Sequence, residues 1–158
     1  MDVVTIRKAT RPDAARLDTA LRHLAQTLGD PYNTDLDGLT EAGFGASPSF
    51  AAVLALDEQD AIVGLAMFSP VFSTVKGGRG VYVSDLWVAP QMRGRGLGPR
   101  LIAGVAAADG GPGFIKLAVY DSSPGARRFY DRMGFVPMAG ETIMILNETG
   151  LDALKGLT

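Results

Sequence analysis

Residues 88–101 read VAPQMRGRGLGPRL. Gly94, Gly96 and Gly98 fall at alternate positions, with Arg93 and Arg95 set among them. Before them, VYVSDLWV from Val81 is rich in β-branched and aromatic residues and is stopped by Pro90, which predicts a strand. After them, Leu97, Leu101, Ile102, Val105 and Ala108 recur at helical spacing, and Gly110 and Gly111 end the pattern. The order is therefore strand, glycine loop, helix. Backbone N–H groups at a helix start have no internal partner, and the helix dipole adds positive potential there. Glycine removes the Cβ that would hold a ligand off, so the stretch reads as an anion site, most often one for phosphate. The competing reading is a tight turn with no ligand.

Two familiar phosphate loops do not fit. A nucleotide loop needs G-x-x-x-x-G-K-[ST], but Gly94 is followed by Pro99 and Arg100 where G-K belongs. A dinucleotide loop needs G-x-G-x-x-G, and the third glycine is replaced by Pro99 in one register and Leu101 in the other. What remains is R-x-x-G-x-G, carried by Arg93, Gly96 and Gly98.

Outward from this loop the chain reads as alternating elements. VVTIRKA from Val3 is a first strand, and Thr10 with Asp13 starts a helix whose leucines 17, 21, 24 and 28 share a face until Gly29. TDLDGLTEAGFG is a shorter helix capped by Thr34. Two strands flank the turn DEQD, FSTVKGGRG is a loop, and FIKLAVY, GFV and ETIMILNE are later strands. SPGARRFYDRM is a helix, and GLDALKG a terminal helical turn or two. The pattern predicts an α/β (α+β) chain with an antiparallel front half and helix crossovers in the back half.

With 158 residues the chain has the size of a single domain, 1–158, and 47% apolar residues supply a core. The net charge of −2 gives no field for nucleic acid or acidic membrane, so neither partner is expected. The absence of cysteine excludes disulfides, thiolate metal sites and a catalytic thiol. With one histidine as well, no metal site is expected. No signal peptide and no apolar run of ~18 residues is read, so the default location is the cytosol.

The glycine loop resembles the coenzyme A pyrophosphate loop of the GNAT acyltransferase superfamily, V-x-P-x-x-R-G-x-G-[IL]-G. Val88, Pro90, Arg93, Gly94, Gly96, Leu97 and Gly98 match it. Downstream, AVYDSSPGARRFYDRMGFVPM is similar to the second signature of that superfamily at Val119, Ala126, Phe129, Tyr130, Gly134 and Phe135. Ser123 stands where the family has Asn. IRKATRPDAARL and FSPVFSTVKGGRGVYVSDLWV resemble the opening and middle of the diamine (spermidine/spermine) and thialysine acetyltransferase branch.

The resemblance implies a mixed, mostly antiparallel sheet of about seven strands, flanked by helices and splayed between strands 4 and 5. It implies transfer of an acetyl group from acetyl-CoA to a primary amine by direct attack in a ternary complex. The acceptor would be a small-molecule or polyamine-like amine; protein N-terminal or lysine acetylation, or a non-catalytic coenzyme-A-binding domain, are the alternatives. The splay would leave the peptide groups of Leu86, Trp87 and Val88 to the pantetheine arm, with an N–H near Trp87 or Val88 polarising the thioester carbonyl. Arg93, Gly94, Arg95, Gly96, Leu97 and Gly98 would hold the diphosphate, and Ser123 a pantetheine amide.

A lysine-like amine of pKa ~10.4 must be neutralised before attack, which costs about 4.6 kcal/mol at pH 7. The diamine branch has a Glu for this where this chain has Ser84. Asp85, a carboxylate of the early helix such as Asp37 or Glu41, or bulk water is then the base. Tyr130 occupies the family position of the acid that protonates the leaving thiolate. His23 reads as a half-exposed helix residue and Trp87 as core beside the acyl site. The apolar TIMIL around Met144 suits a buried strand at the interface of a homodimer, because the superfamily often pairs through late strands.

Overall fold

The computed structural model describes residues 3–158. The chain forms two compact units, one reaching to Ala118 and one running from Val119 to Thr158.

The first unit is built on a sheet of five strands in chain order, β1 (Thr5–Lys8), β2 (Ala51–Leu56), β3 (Ile62–Ser73), β4 (Gly78–Val88) and β5 (Ile115–Leu117). The first three junctions are antiparallel and the β4–β5 junction is parallel, so the sheet is mixed and mostly antiparallel as expected. Helix α1 (Ala14–Leu28) packs on β3 and β4 with α2 (Leu36–Phe44) beside it, and α3 (Leu97–Asp109) crosses β1 to β4. The leucine stripe of α1 is inside at Leu17, Leu21 and Leu24, and half-exposed at its last member, Leu28. Gly104 lets α3 approach the sheet, because a Cβ there would meet Ile6 Cγ2 at 2.7 Å and Val53 Cγ1 at 2.9 Å.

The entry to α1 is tied down by charge. Asp13, buried at the end of a single 3₁₀ turn, accepts from the Thr10 N–H at 2.8 Å, from Arg7 at 2.7 and 2.9 Å, and from Arg16 at 2.8 Å. These donors hold its carboxyl well below the usual carboxylate range, Arg7 contributing most. The cap of α2 is Asp35, not the expected Thr34: Asp35 has the extended backbone of a cap, and its carboxylate accepts the Gly38 N–H at 2.7 Å.

The expected loop 72–80 is mostly strand. Phe72 pairs with Arg79 and Ser73 with Gly78, leaving a turn at 74–77 in which Gly77 has φ +75°. β5 is also shorter than FIKLAVY predicts, ending at Leu117.

The second unit holds α4 (Pro124–Arg132) and α5 (Glu148–Leu154). The two late strands expected in GFV and ETIMILNE do not form, which is why five strands replace about seven among the described residues. Apolar and β-branched composition favours a strand only where a partner edge completes its hydrogen bonds, and these segments enter no ladder. The expected burial of TIMIL fails with them: Ile143, Met144 and Ile145 are 85–93% exposed. Among the described residues no helix is long and apolar enough to cross a membrane.

Candidate active site

β4 carries one residue more than β3 can match. Asp85 pairs with Met67 and Val83 with Phe68, so Ser84 is a β-bulge. The bulge resets the alternation of side chains. Val81 and Val83 are buried with Phe68 on the face that carries α3, where Gly64 lies under Leu97 and Leu101. Beyond Ser84, Asp85 and Trp87 turn to the face that carries α1. There the His23 ring, on an exposed part of α1, lies 6.2 Å from the buried Trp87 ring, tilted by 46°.

The bulge also marks where β4 loses its outer partner. β5 pairs with Val81, Tyr82 and Val83 and no further, while β4 runs on to Val88. The Ala89 N–H donates inward to Val63 O at 2.9 Å, so alternation directs the amides of Leu86 and Val88 to the edge beyond β5. Trp87, opposite Leu65, faces β3 instead. Of the three residues expected to present free peptide groups, Leu86 and Val88 turn their N–H groups to that edge, and Trp87 belongs to the ladder.

The strand end and the glycine loop are clasped together by Arg93, whose Nε donates to the Val88 carbonyl at 3.1 Å. A 3₁₀ turn at Pro90–Met92 precedes it. Gly94 and Gly96 then take left-handed φ values of +76° and +74°, which a side chain would strain. A Cβ at either would meet nothing within 4 Å, so the loop lies open above both. Gly96 is the N-cap of α3, and no side chain caps that helix, so its first amides at Leu97 and Gly98 point toward the open side. Leu97 and Gly98 are buried on the helix side, and Arg95 is exposed. An open helix start of this kind suits an anion, and it follows the end of β4 that β5 does not pair.

Asp85 is half-buried. Burial pushes its carboxyl up, Ser84 lowers it through a side-chain hydrogen bond, and the charge of Asp30 raises it again. Asp37 and Glu41 lie exposed on α2. Sequence reasoning passed over Asp18, Arg22 and Tyr32. Asp18 is buried next to the leucine stripe, and it accepts from Tyr32 Oη at 2.7 Å and from Arg22 Nε at 2.9 Å. The Arg22 guanidinium lies over the Tyr32 ring, 4.4 Å from its centre. Burial, the bond to Asp18 and nearby charge, including that of Asp85, keep the Tyr32 hydroxyl protonated far above its ordinary range. A carboxylate placed one position beyond a leucine of the stripe was the only signal available in the sequence.

In the second unit, Ser123 is the N-cap of α4, with its backbone N–H on Tyr120 O at 2.9 Å. Tyr130 lies on α4 with its ring edge-on to Phe129 at 5.0 Å and to Phe135 at 5.5 Å. Burial pushes its hydroxyl pKa up. Gly134, at φ +94°, turns the chain out of the helix so that Phe135 returns to the Tyr130 ring. Among the described residues, no three acidic or histidine side chains converge as a metal site would need.

Comparison with known proteins gives the family and the fold. The profile described as the acetyltransferase (GNAT) family matches residues 17–135. Thialysine N-epsilon-acetyltransferase of Bos taurus is 31% identical over 145 residues, 85% of each chain. The Mus musculus protein of that name is 31% identical over 140 residues, 82% of each chain. Among solved structures, an integron cassette protein from the mobile metagenome of V. cholerae superposes with a TM-score of 0.78 at 20% identity, covering 96% of each chain. Aminoglycoside N-acetyltransferase AAC(6')-Iy in complex with CoA superposes with a TM-score of 0.73 at 17% identity, covering 94% of this chain and 96% of that one.

Proposed function

Because the chain belongs to the acetyltransferase (GNAT) family, we propose that it moves an acetyl group from acetyl-CoA to a primary amine of a small cationic molecule. One observation carries this reading. The free edge of β4 at Leu86 and Val88 runs directly into the open, uncapped glycine start of α3. Acetyl-CoA has an amide-bearing arm and a diphosphate, and these two features complement each other in that order. The diphosphate would rest on the amides from Gly94 to Gly98, with Arg93 and Arg95 supplying charge. The pantetheine arm would run along the edge as a substitute strand, with Ser123 as a further contact. The Val88 or Leu86 N–H would hold the negative charge that develops on the acetyl oxygen.

Asp85 is the base in this reading. It lies on the α1 face at the point where the free edge begins, and its raised pKa suits a group that must accept a proton near neutrality. It takes the proton of the attacking ammonium, the amine nitrogen bonds to the acetyl carbon, and the carbon–sulfur bond breaks. Tyr130 would give its proton to the leaving sulfur and regain one from the acylated nitrogen, which must lose its second proton to become an amide; Asp85 then releases its proton to water, and the products are the acetamide and coenzyme A. The electrostatic coupling of Asp30 with Asp85 favours an acceptor that carries positive charge. Thialysine, the substrate in the relatives' names, has that charge, as do polyamines.

The proposal includes a homodimer in the cytosol, and the exposed apolar run from Ile143 to Leu146 supports pairing. The test of function is thiol release from acetyl-CoA, read with 5,5′-dithiobis(2-nitrobenzoate), across thialysine, spermidine, lysine, an aminoglycoside and a neutral amide. Release that depends on a primary amine supports an enzyme. Coenzyme A binding with no release for any acceptor makes the protein a binding module instead.

A further inference from the structure

Asp18, Arg22 and Tyr32 form a closed set on the α1 face of the first unit. Two donors meet one buried carboxylate, and the cation of one donor lies on the ring of the other. The set joins α1 to the connection 29–35, which leaves α1 at Gly29 (φ +74°) and re-enters helix at the Asp35 cap. Pro31 and the polar residues Asp30, Asn33, Thr34 and Asp35 make up most of that connection, and nothing in its composition gives it a core of its own. The one aromatic ring it sends down is Tyr32, which is half-buried. The same connection carries Asp30, and both Asp30 and Tyr32 lie within electrostatic range of Asp85.

We propose that Tyr32 is a positioning residue: through its hydroxyl on Asp18 and its ring under Arg22, it fixes the connection 29–35 beside Asp85 and so sets the affinity for the amine acceptor. This rests on the acetyl transfer proposed above. A hydrogen bond to a buried charged group is directional and strong, and a ring stacked under a guanidinium fixes the orientation about it. Two contacts on the Tyr32 side chain thus set the height and direction of a short loop. The clasp touches neither the free edge of β4 nor the glycine loop, so the thioester side of the site does not depend on it.

The experiment uses the full chain and two conservative variants, Tyr32→Phe, which keeps the ring and removes the hydroxyl, and Asp18→Asn. Steady-state kinetics with thialysine and with spermidine are combined with fluorescence of Trp87, the only tryptophan. Tyr32→Phe should raise the KM for the amine on the order of ten-fold. The kcat and the acetyl-CoA KM should stay within about two-fold of the wild type. Amide hydrogen exchange at residues 29–35 should speed up in both variants. The double variant should be no worse than Asp18→Asn alone, because that variant already weakens the bond that Tyr32→Phe removes, together with the pairing to Arg22. Equal rises in the KM for the amine and the KM for acetyl-CoA, or an unchanged amine KM with a lowered melting temperature, would reduce the clasp to a structural role and overturn the proposal. If the wild type acetylates no amine, the functional reading fails first, and exchange at 29–35 still reports whether the clasp holds the connection.

Discussion

Val83 and Asp85 are two residues apart on one strand, yet they lie on opposite faces of the sheet. Their partners Phe68 and Met67 are adjacent on β3, and the extra residue Ser84 absorbs the difference. A regular strand would have placed the Asp85 carboxylate with Val81 and Val83 against α3. The bulge turns it toward α1 at the point where β5 stops pairing.

In the proposed reaction that position makes Asp85 the base, and it carries a cost to stability. Replacing it with Asn should lower kcat at neutral pH by about 10²–10⁴-fold. In the wild type the acidic limb of the kcat/KM profile should lie above the ordinary carboxylate range, because burial raises this pKa, and the limb should vanish in the variant. A carboxyl whose folded pKa is raised binds more protons folded than unfolded, so its charge weakens the fold as pH rises. Asp85→Asn should therefore melt higher at pH 7, and calorimetry beside kinetics checks both signs.

Gly96 and Gly104 separate binding from packing. Gly96→Ala puts a Cβ into open space at φ +74°, so its structural cost is backbone strain of about 1–2 kcal/mol. Coenzyme A should bind on the order of ten-fold more weakly by calorimetric titration, because the diphosphate must approach that backbone. Gly104→Ala pushes against Ile6 and Val53, so it should destabilise by about 1–3 kcal/mol and leave the Kd for coenzyme A unchanged.

Tyr130→Phe keeps the ring against Phe129 and Phe135 and removes only the hydroxyl proposed as the acid. The kcat should fall on the order of 10²-fold with little change in the acetyl-CoA KM. Since burial raises the tyrosine pKa, the wild type should show no alkaline loss from this group within the neutral range. Stopped-flow thiol release across pH tests it.

Asp13 sets the acid limit of the fold. Its pKa is depressed, so its contribution is complete above the unfolded value of ~3.9 and is lost as pH falls through the folded value below that. Asp13→Asn should cost about 2–3 kcal/mol at pH 7 in urea denaturation. The difference between the two proteins should close only under strongly acidic conditions.

The parts of this molecule that local chemistry dictates were legible in the sequence. Left-handed glycines at 94, 96 and 110 bracket α3, and leucines 17, 21 and 24 mark the inner face of α1, because each signal is complete within a few residues. The bulge was not legible, since Ser84 is extra only relative to β3. The Trp87 amide was misplaced for the same reason. The Asp18–Tyr32 bond spans 14 residues and joins two polar groups that each read as surface. TIMIL shows the converse limit: strand-like residues without an edge to join remain exposed.

The most direct measurement is a crystal structure grown with coenzyme A. The account predicts the diphosphate on the amides between Gly94 and Gly98, and the pantetheine amides paired with the edge at Leu86 and Val88. A cofactor bound elsewhere, or a β4 edge paired to protein along its whole length in that crystal, would contradict it.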